Sequence, residues 1–174
     1  IGLWSDNVAP FAEAGALEPL DDLMAQAGLA DDYYVPKYLE MGRYEGRTYL
    51  LPTTPVSTAL FYNIDHFQAH AAALRAAGLD PNRPPATIDE LDRYADILTE
   101  AGPDGKPTIM GFLPTEPGWY NVAYPYFFGG GLFDANGQPT PDTPANVRAF
   151  EWLKSYAARY GRDNLNGFRQ GFGN

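Results

Sequence analysis

The sequence contains 174 residues with a formal net charge of −10 and a pI near 4.5, and its few basic residues are scattered, which argues against a nucleic-acid partner. It has no cysteine, so disulfides, a thiolate nucleophile and a cysteine-based zinc site are excluded. The length suits one domain, or one lobe plus part of another, and no apolar run approaches the roughly 18 residues that a membrane span needs.

Helices are predicted for most of the first 41 residues. "VAPFAEAG" follows two residues that can cap a helix, Asp6 and Asn7, and ends at a glycine. "PLDDLMAQAGL" carries apolar residues at helical spacing and ends at Gly28. A third helix is predicted from Asp31 to Met41, with its tyrosines partly buried.

Two strands are predicted next, at "RTYLLP" (47–52) and "STALFY" (57–62). The second is a nearly continuous apolar run, which indicates burial on both faces as in a parallel sheet. Alternation of these strands with the helices on either side favours an α/β architecture.

Helix signals dominate the second part of the chain. Asp65 is predicted to cap a helix that runs to about Ala77. Thr87 and Glu90 form a capping box that begins the next helix, which the pattern extends to Gly102. "PDGK" and "DANGQ" are predicted turns, the latter a hairpin tip.

The last predicted helix runs from Thr143 to Tyr160. Its apolar spacing places Val147, Phe150, Leu153 and Ala157 inward. The last thirteen residues, 162–174, are rich in Gly, Asn and Arg and are predicted to form a loop.

Five segments, taken together and in this order, resemble the extracytoplasmic solute-binding proteins of ABC transporters, in the group typified by maltose- and oligosaccharide-binding proteins. They are "APFAEAGALEPLDDL", "YEGRTYLLPTTPVSTALFYNIDHF", "GLDP…PPATIDEL", "FFGGGLFD" and "NVRAFEWLKSYAARYG". No single segment is diagnostic, but the order of all five is a strong signal.

The resemblance implies a periplasmic-binding-protein-like fold, in which two α/β lobes are joined by crossing strands and close on a ligand by a hinge motion. It implies that residues 1–58 are part of lobe one, 59–61 the crossing and 62–174 part of lobe two, with further chain expected before Ile1 and after Asn174. The hinge is expected at Ser57, Thr58 and Ala59.

The function implied by the resemblance is the binding of a sugar and its delivery to an ABC permease. The implied location is extracytoplasmic, either periplasmic or extracellular and membrane-associated. No enzymatic activity, cofactor or metal is expected.

Sugar recognition combines flat aromatic faces with planar groups that bond pairs of hydroxyls. "TEPGWYN" supplies Glu116 as an acceptor, Trp119 and Tyr120 as ring platforms and Asn121 as a further hydrogen-bonding group. Similar family members place ligand contacts in this region. The alternative is that both rings are core aromatics.

Further ligand contacts are predicted in the first part of the chain. Trp4 and Asp6 lie where a strand would end and a helix begin, the usual place for ligands in open α/β sheets. The alternatives are a core role for Trp4 and a helix cap for Asp6. Thr54 is predicted to reach a ligand from the crossing, although threonine is also favoured there by its β propensity.

Catalytic and metal motifs are weak. A glycoside hydrolase could use Glu116, but the sequence identifies no second carboxylate for it. A binding protein for a non-sugar solute also stays open. His66 and His70 are four residues apart, as in some metal sites, but the motif's intervening glutamate is missing, so both are predicted to be solvated surface residues.

Overall fold

The computed structural model describes residues 2–54, 56–115 and 118–171. The chain divides into two compact units, Ile1–Leu60 and Phe61–Asn174.

The first unit consists of short helices around a small hairpin. Its elements are a 3₁₀ turn Ser5–Asn7, α1 (Val8–Glu13), α2 (Asp21–Gln26), a 3₁₀ turn Asp31–Tyr33, α3 (Pro36–Glu40), β1 (Arg43–Tyr44) and β2 (Arg47–Thr48). The two strands pair antiparallel through a turn at Glu45 and Gly46, both of which have positive φ.

The hairpin is tied to the start of α2 through Thr48, which is 1% exposed. The Thr48 amide donates to Asp21 Oδ1 at 3.2 Å, and the Thr48 carbonyl accepts from the Leu20 amide at 2.7 Å. The bond from the Thr48 amide lowers the pKa of Asp21. Together these bonds close the strand against the helix that contributes the buried Met24.

The sequence predicted the helices of this unit better than its strands. The first two helices are confirmed, while the third divides because Val35, which precedes Pro36, adopts an extended conformation. Tyr33 is 74% exposed, so its predicted partial burial is wrong. The strand predicted at 47–52 shortens to Arg47–Thr48.

Residues 57–62 form no strand, and residues 57–61 are exposed. The predicted burial on both faces is therefore wrong within the described chain. An apolar run indicates that a segment is able to be buried, but burial on both faces also requires a neighbouring layer against each face.

The second unit is mainly helical. Its elements are α4 (Ile64–Ala69), α5 (Ala71–Ala76), α6 (Ile88–Leu98), β3 (Glu100–Ala101), β4 (Pro107–Ile109), a 3₁₀ helix Gly118–Ala123, α7 (Tyr124–Phe127), α8 (Pro144–Tyr160) and α9 (Arg162–Gln170). One core cluster surrounds Trp152 and Tyr156, and a second surrounds Phe67, Leu74 and Tyr94.

Side-chain caps begin three of these helices. The Thr87 and Thr143 hydroxyls accept from the amides of Glu90 and Asn146 at 3.1 Å and 3.3 Å, which confirms two predicted starts. Asn63, and not Asp65, caps α4. The helix predicted up to Gly102 ends at Leu98, and β3 follows at once.

The inward face of α8 differs from the predicted one. Its buried residues are Asn146, Ala149, Trp152 and Tyr156. Leu153 and Ala157 pack against the core cluster around Trp152 as predicted, whereas Val147 and Phe150 are exposed. The apolar spacing failed only in the first half of the helix, because the most buried position of the first turn is an asparagine whose amide is hydrogen-bonded to Gly131 of a neighbouring loop.

The last segment is helical and not a loop. In α9, Leu165 is buried and Phe168 packs against the core cluster around Trp152. Three-residue spacing of these two apolar side chains places both on one helical face.

The described residues contain two sheets, each of two antiparallel strands. A mixed helix and sheet composition is therefore confirmed, while the parallel pairing suggested by the apolar run at 57–62 is not found in the described chain. Among the described helices, none combines the length and apolarity that crossing a membrane requires.

Candidate functional site

An exposed aromatic surface lies on the second unit, where the 3₁₀ helix Gly118–Ala123 runs into α7. Trp119 is 67% exposed and its ring meets that of Tyr120 edge to face, with centroids 5.7 Å apart. Tyr120 in turn contacts Phe127, which is 56% exposed, at 6.4 Å. We call these three rings, Trp119, Tyr120 and Phe127, the aromatic platform.

A chain of ring contacts supports the platform from below. Tyr120 packs edge to face on Tyr124 at 5.6 Å, and Tyr124 packs on Trp152 of α8 at 5.1 Å. The Trp152 indole N–H donates to both carboxylate oxygens of Asp92, each at 3.0 Å. Asp92 on α6 therefore fixes the ring on which the platform rests.

The hydroxyl groups of the supporting tyrosines are hydrogen-bonded as well. The Tyr124 hydroxyl donates to the Pro114 carbonyl at 2.9 Å, and burial raises the pKa of Tyr124 to about 12. Tyr156 donates to Asp92 at 2.6 Å, and burial followed by this bond raises its pKa. Both phenols therefore stay neutral donors at physiological pH.

Two of the three predicted ligand-binding residues of this unit, Trp119 and Tyr120, lie within the described chain. Trp119 is not a core aromatic, which excludes the alternative interpretation for that ring. Tyr120 is half-buried and belongs both to the surface and to the edge of the core. Glu116, the predicted acceptor, lies outside the described residues.

Polar groups lie next to the platform in sequence and in space. Asn121 Oδ1 and Thr115 Oγ1 are enclosed, and neither has a hydrogen-bond partner among the described residues. Arg169 of α9 approaches the start of the 3₁₀ helix, because its Nη2 would lie 3.8 Å from a Cβ built on Gly118. Sequence reasoning missed Arg169 because it treated residues 162–174 as a loop.

The site residues predicted from the first part of the chain lie on the first unit. Trp4 is 77% exposed, so a core role for it is wrong. Asp6 is exposed, and Asn7 occupies the cap position of α1 without a side-chain cap bond, so the helix-cap interpretation of Asp6 is wrong as well. Thr54 is exposed.

The three predicted hinge residues are exposed and have no regular secondary structure. The Ser57 hydroxyl lies 3.3 Å from that of Tyr38. Thr58 and Ala59 follow, just before the boundary between the units.

A second surface feature lies at the glycine loop, residues 129–131, beneath the N-terminus of α8. An open depression of about 520 Å³ is lined by Gly129, Gly130, Gly131, Phe133, Asp134, Thr140, Thr143, Pro144, Ala145 and Arg148. A Cβ built on Gly130 would overlap Asn146 Oδ1, so the close approach of these two residues requires a glycine at this position.

The two histidines are half-buried, with 18% and 22% of their side chains exposed, so the prediction of solvated surface residues is wrong. Both approach Glu100, which comes from β3. They lie apart from the platform in chain order.

The family model for bacterial extracellular solute-binding proteins matches residues 1–171. The chain belongs to this family. The match spans nearly the whole sequence and confirms the resemblance given by the five ordered segments.

Two curated relatives carry transporter-related names. The probable amino-acid ABC transporter periplasmic-binding protein y4oP of Sinorhizobium fredii is 30% identical over 152 residues, covering 86% of this chain and 33% of the relative. The maltotriose-binding protein of Pyrococcus abyssi is 28% identical over 167 residues, covering 87% of this chain and 29% of the relative. The chain thus spans about a third of the length of these relatives.

Solved structures of similar fold hold sugars. CpMnBP1 with mannotriose bound is 32% identical and superposes with a TM-score of 0.71, covering 94% of this chain and 40% of that one. An ABC transporter solute-binding protein from Thermotoga lettingae, bound with α-D-tagatose, has a TM-score of 0.61 over 88% of this chain and 38% of that one, at 22% identity. The latter supports the fold alone.

Proposed function

We propose that this chain is part of the extracytoplasmic solute-binding component of an ABC transporter, and that it binds a carbohydrate on the aromatic platform. The observation that carries the proposal is the exposed Trp119 ring, held in place by contacts that reach Asp92 through Tyr124 and Trp152. A large, exposed and well-supported indole is the kind of group that covers the apolar face of a sugar ring.

The neighbouring polar groups supply the second requirement of sugar binding. Asn121 follows Tyr120 in the 3₁₀ helix, and Arg169 brings a guanidinium to the edge of the platform near Gly118. Planar amide and guanidinium groups bond pairs of hydroxyls, which sets orientation while the rings supply contact area. Glu116 completes the proposed set as a hydroxyl acceptor.

The proposal extends to the whole protein through its family. The two-lobe arrangement with hinge closure, the crossing at Ser57, Thr58 and Ala59, and the contacts from Trp4, Asp6 and Thr54 belong to the proposal. So do the permease partner, the extracytoplasmic location and a role in binding and not catalysis. Ligand binding shifts the protein towards the closed state only if the ligand has a higher affinity for the closed state than for the open one.

The experiment is calorimetric titration of the full-length protein with mannotriose, maltotriose and a panel of monosaccharides. Trp119→Ala should weaken sugar binding by about tenfold or more, as expected for an aromatic anchor that becomes buried when the sugar binds. Tyr33→Ala, which removes an exposed ring that is not among the proposed contacts, should leave the affinity unchanged. Equal affinities for the wild type and Trp119→Ala would refute the platform.

A non-sugar solute is the second candidate, since the name of the relative y4oP points to amino acids. The same titration with a panel of amino acids separates the two. Heat released by an amino acid and by no sugar would move the assignment to that class, and the Trp119 variant would then show whether the platform takes part.

A further inference from the structure

The two histidines and one glutamate of the second unit converge on a single point. His66 Nδ1 lies 3.8 Å from Glu100 Oε1, and His70 Nε2 lies 3.5 Å from the same oxygen. One ligand atom from each of the three residues lies within 4.8 Å of the others. The imidazoles are neighbours, with ring centroids 4.5 Å apart.

Backbone carbonyls fix the tautomer of both rings. His66 Nε2 lies 2.8 Å from the Leu98 carbonyl, and His70 Nδ1 lies 3.0 Å from the His66 carbonyl. A carbonyl oxygen can only accept, so both of these nitrogens carry their proton. In the neutral rings the remaining nitrogens, His66 Nδ1 and His70 Nε2, are lone-pair acceptors.

Those two acceptors face a third, the carboxylate of Glu100. In this tautomer all three groups only accept, so a cation or a donor placed among them relieves their mutual repulsion, and a divalent metal ion can bind all three at once. Backbone carbonyls that bind the distal N–H of a metal-ligating histidine are the usual outer-shell partners, because they orient the ring and select the coordinating nitrogen. The cluster shows this arrangement at both histidines.

We propose that His66 Nδ1, His70 Nε2 and Glu100 form a binding site for a divalent transition metal, with Zn²⁺ as the preferred ion. Two imidazoles and one carboxylate are a recognised ligand set for zinc, with a fourth position left for water. Bonds of about 2.0–2.1 Å at tetrahedral angles separate neighbouring ligand atoms by about 3.3 Å. The observed 3.5 Å and 3.8 Å to the Glu100 oxygen are within a few tenths of an ångström of this value. The three ligand atoms span up to 4.8 Å, so the two imidazoles must also draw together by up to about 1.5 Å.

The local fold suits such a site. His66 lies within α4 and His70 is the cap residue between α4 and α5, so one turn of helix sets their spacing. Glu100 is the first residue of β3, directly after the end of α6 that supplies the Leu98 carbonyl. A bound ion would therefore tie α4 to the junction of α6 and β3. The site shares no residue with the aromatic platform.

The test titrates chelator-stripped, tag-free full-length protein with Zn²⁺ by calorimetry and with Co²⁺ by visible absorption. The wild type should show one saturable event attributable to this site and a Co²⁺ spectrum of tetrahedral type. His70→Ala and Glu100→Gln should each weaken Zn²⁺ binding by more than about 100-fold, above the ten- to hundredfold that outer-shell changes cost. Asp65→Asn, which alters an exposed acid on the same helix, is the matched control and should bind as the wild type does.

A measurement without substitutions guards against variants that fold poorly. Long-range proton–nitrogen spectra of the wild type should show Zn²⁺ shifting His66 Nδ1 and His70 Nε2 while the other ring nitrogens remain protonated. Wild-type affinity retained in either ligand variant, or imidazole signals that do not respond to Zn²⁺, would overturn the proposal.

Discussion

Asn146 is predicted to be the residue that holds the glycine loop on α8. It is 1% exposed, its Nδ2 donates to the carbonyls of Gly131, at 2.7 Å, and Thr140, and its Oδ1 accepts from the Gly131 amide at 3.2 Å. Replacing Asn146 by alanine removes all three bonds while leaving the Thr143 cap intact.

The expected cost follows from the groups left unpaired. After the substitution the Gly131 carbonyl still accepts from the Thr140 hydroxyl at 3.1 Å. The Gly131 amide and the Thr140 carbonyl are therefore the two groups whose bond to Asn146 is lost without replacement. At about 1–3 kcal/mol for each unsatisfied buried group, and with partial solvent access at the loop, Asn146→Ala should lower the free energy of unfolding by about 2–4 kcal/mol.

Urea denaturation followed by circular dichroism measures this change. Glu151→Ala, an exposed substitution on the same helix, is the control and should change stability by less than about 0.5 kcal/mol. Asn146→Asp should cost more than alanine at neutral pH, because a carboxylate oxygen would then face two carbonyls. A loss for Asn146→Ala no larger than that of the control would refute the reasoning.

Three further predictions concern the same unit. Asp92→Ala should cost about 2–4 kcal/mol, because Trp152 and Tyr156 lose their acceptor, whereas Asp92→Asn, which keeps one acceptor oxygen, should cost less; thermal unfolding compares them. The pKa of Tyr124 is raised to about 12, which stabilises the folded state fully below about pH 10 and ceases to do so as the pH rises towards 12. Over this pH range the free energy of unfolding of the wild type should therefore fall by up to about 2–3 kcal/mol more than that of Tyr124→Phe. Gly130→Ala should destabilise by about 1–3 kcal/mol because its methyl group would overlap Asn146, as urea denaturation would show.

Each of these has a contrasting outcome. Equal losses for the two Asp92 variants would show that the acceptor oxygen is not what matters. Parallel alkaline curves for wild type and Tyr124→Phe would contradict the raised phenol pKa. Gly167→Ala is the control for Gly130, since a methyl group there meets no described neighbour inside α9 and should stabilise by about 0.5–1 kcal/mol.

Local signals in the sequence were sufficient for most helices of the second unit. Thr87 and Thr143 begin helices because a hydroxyl can satisfy an orphan amide within three residues. Gly161, with φ of 85°, ends α8 where the prediction placed its stop. Such rules need no knowledge of distant residues, which is why they transfer from sequence to structure.

The remaining features depend on residues far apart in the chain. Asn146 could not be predicted as buried, because its partners Gly131 and Thr140 belong to a loop whose position depends on the fold. Glu100 joins the histidines only because α6 ends at Leu98 and turns into β3. The sequence named Trp119 as a candidate but left a core role open, since aromatic residues serve equally well inside and outside.

The three tryptophans occupy unlike surroundings, being 77%, 67% and 8% exposed at positions 4, 119 and 152. A collisional quencher such as acrylamide should therefore reach the first two indoles and spare the third. Fluorescence would then report separately on each unit's surface and on the packed interior, without any attached dye. A guest seated against Trp119 would shield that emitter and leave the buried Trp152 as an internal reference.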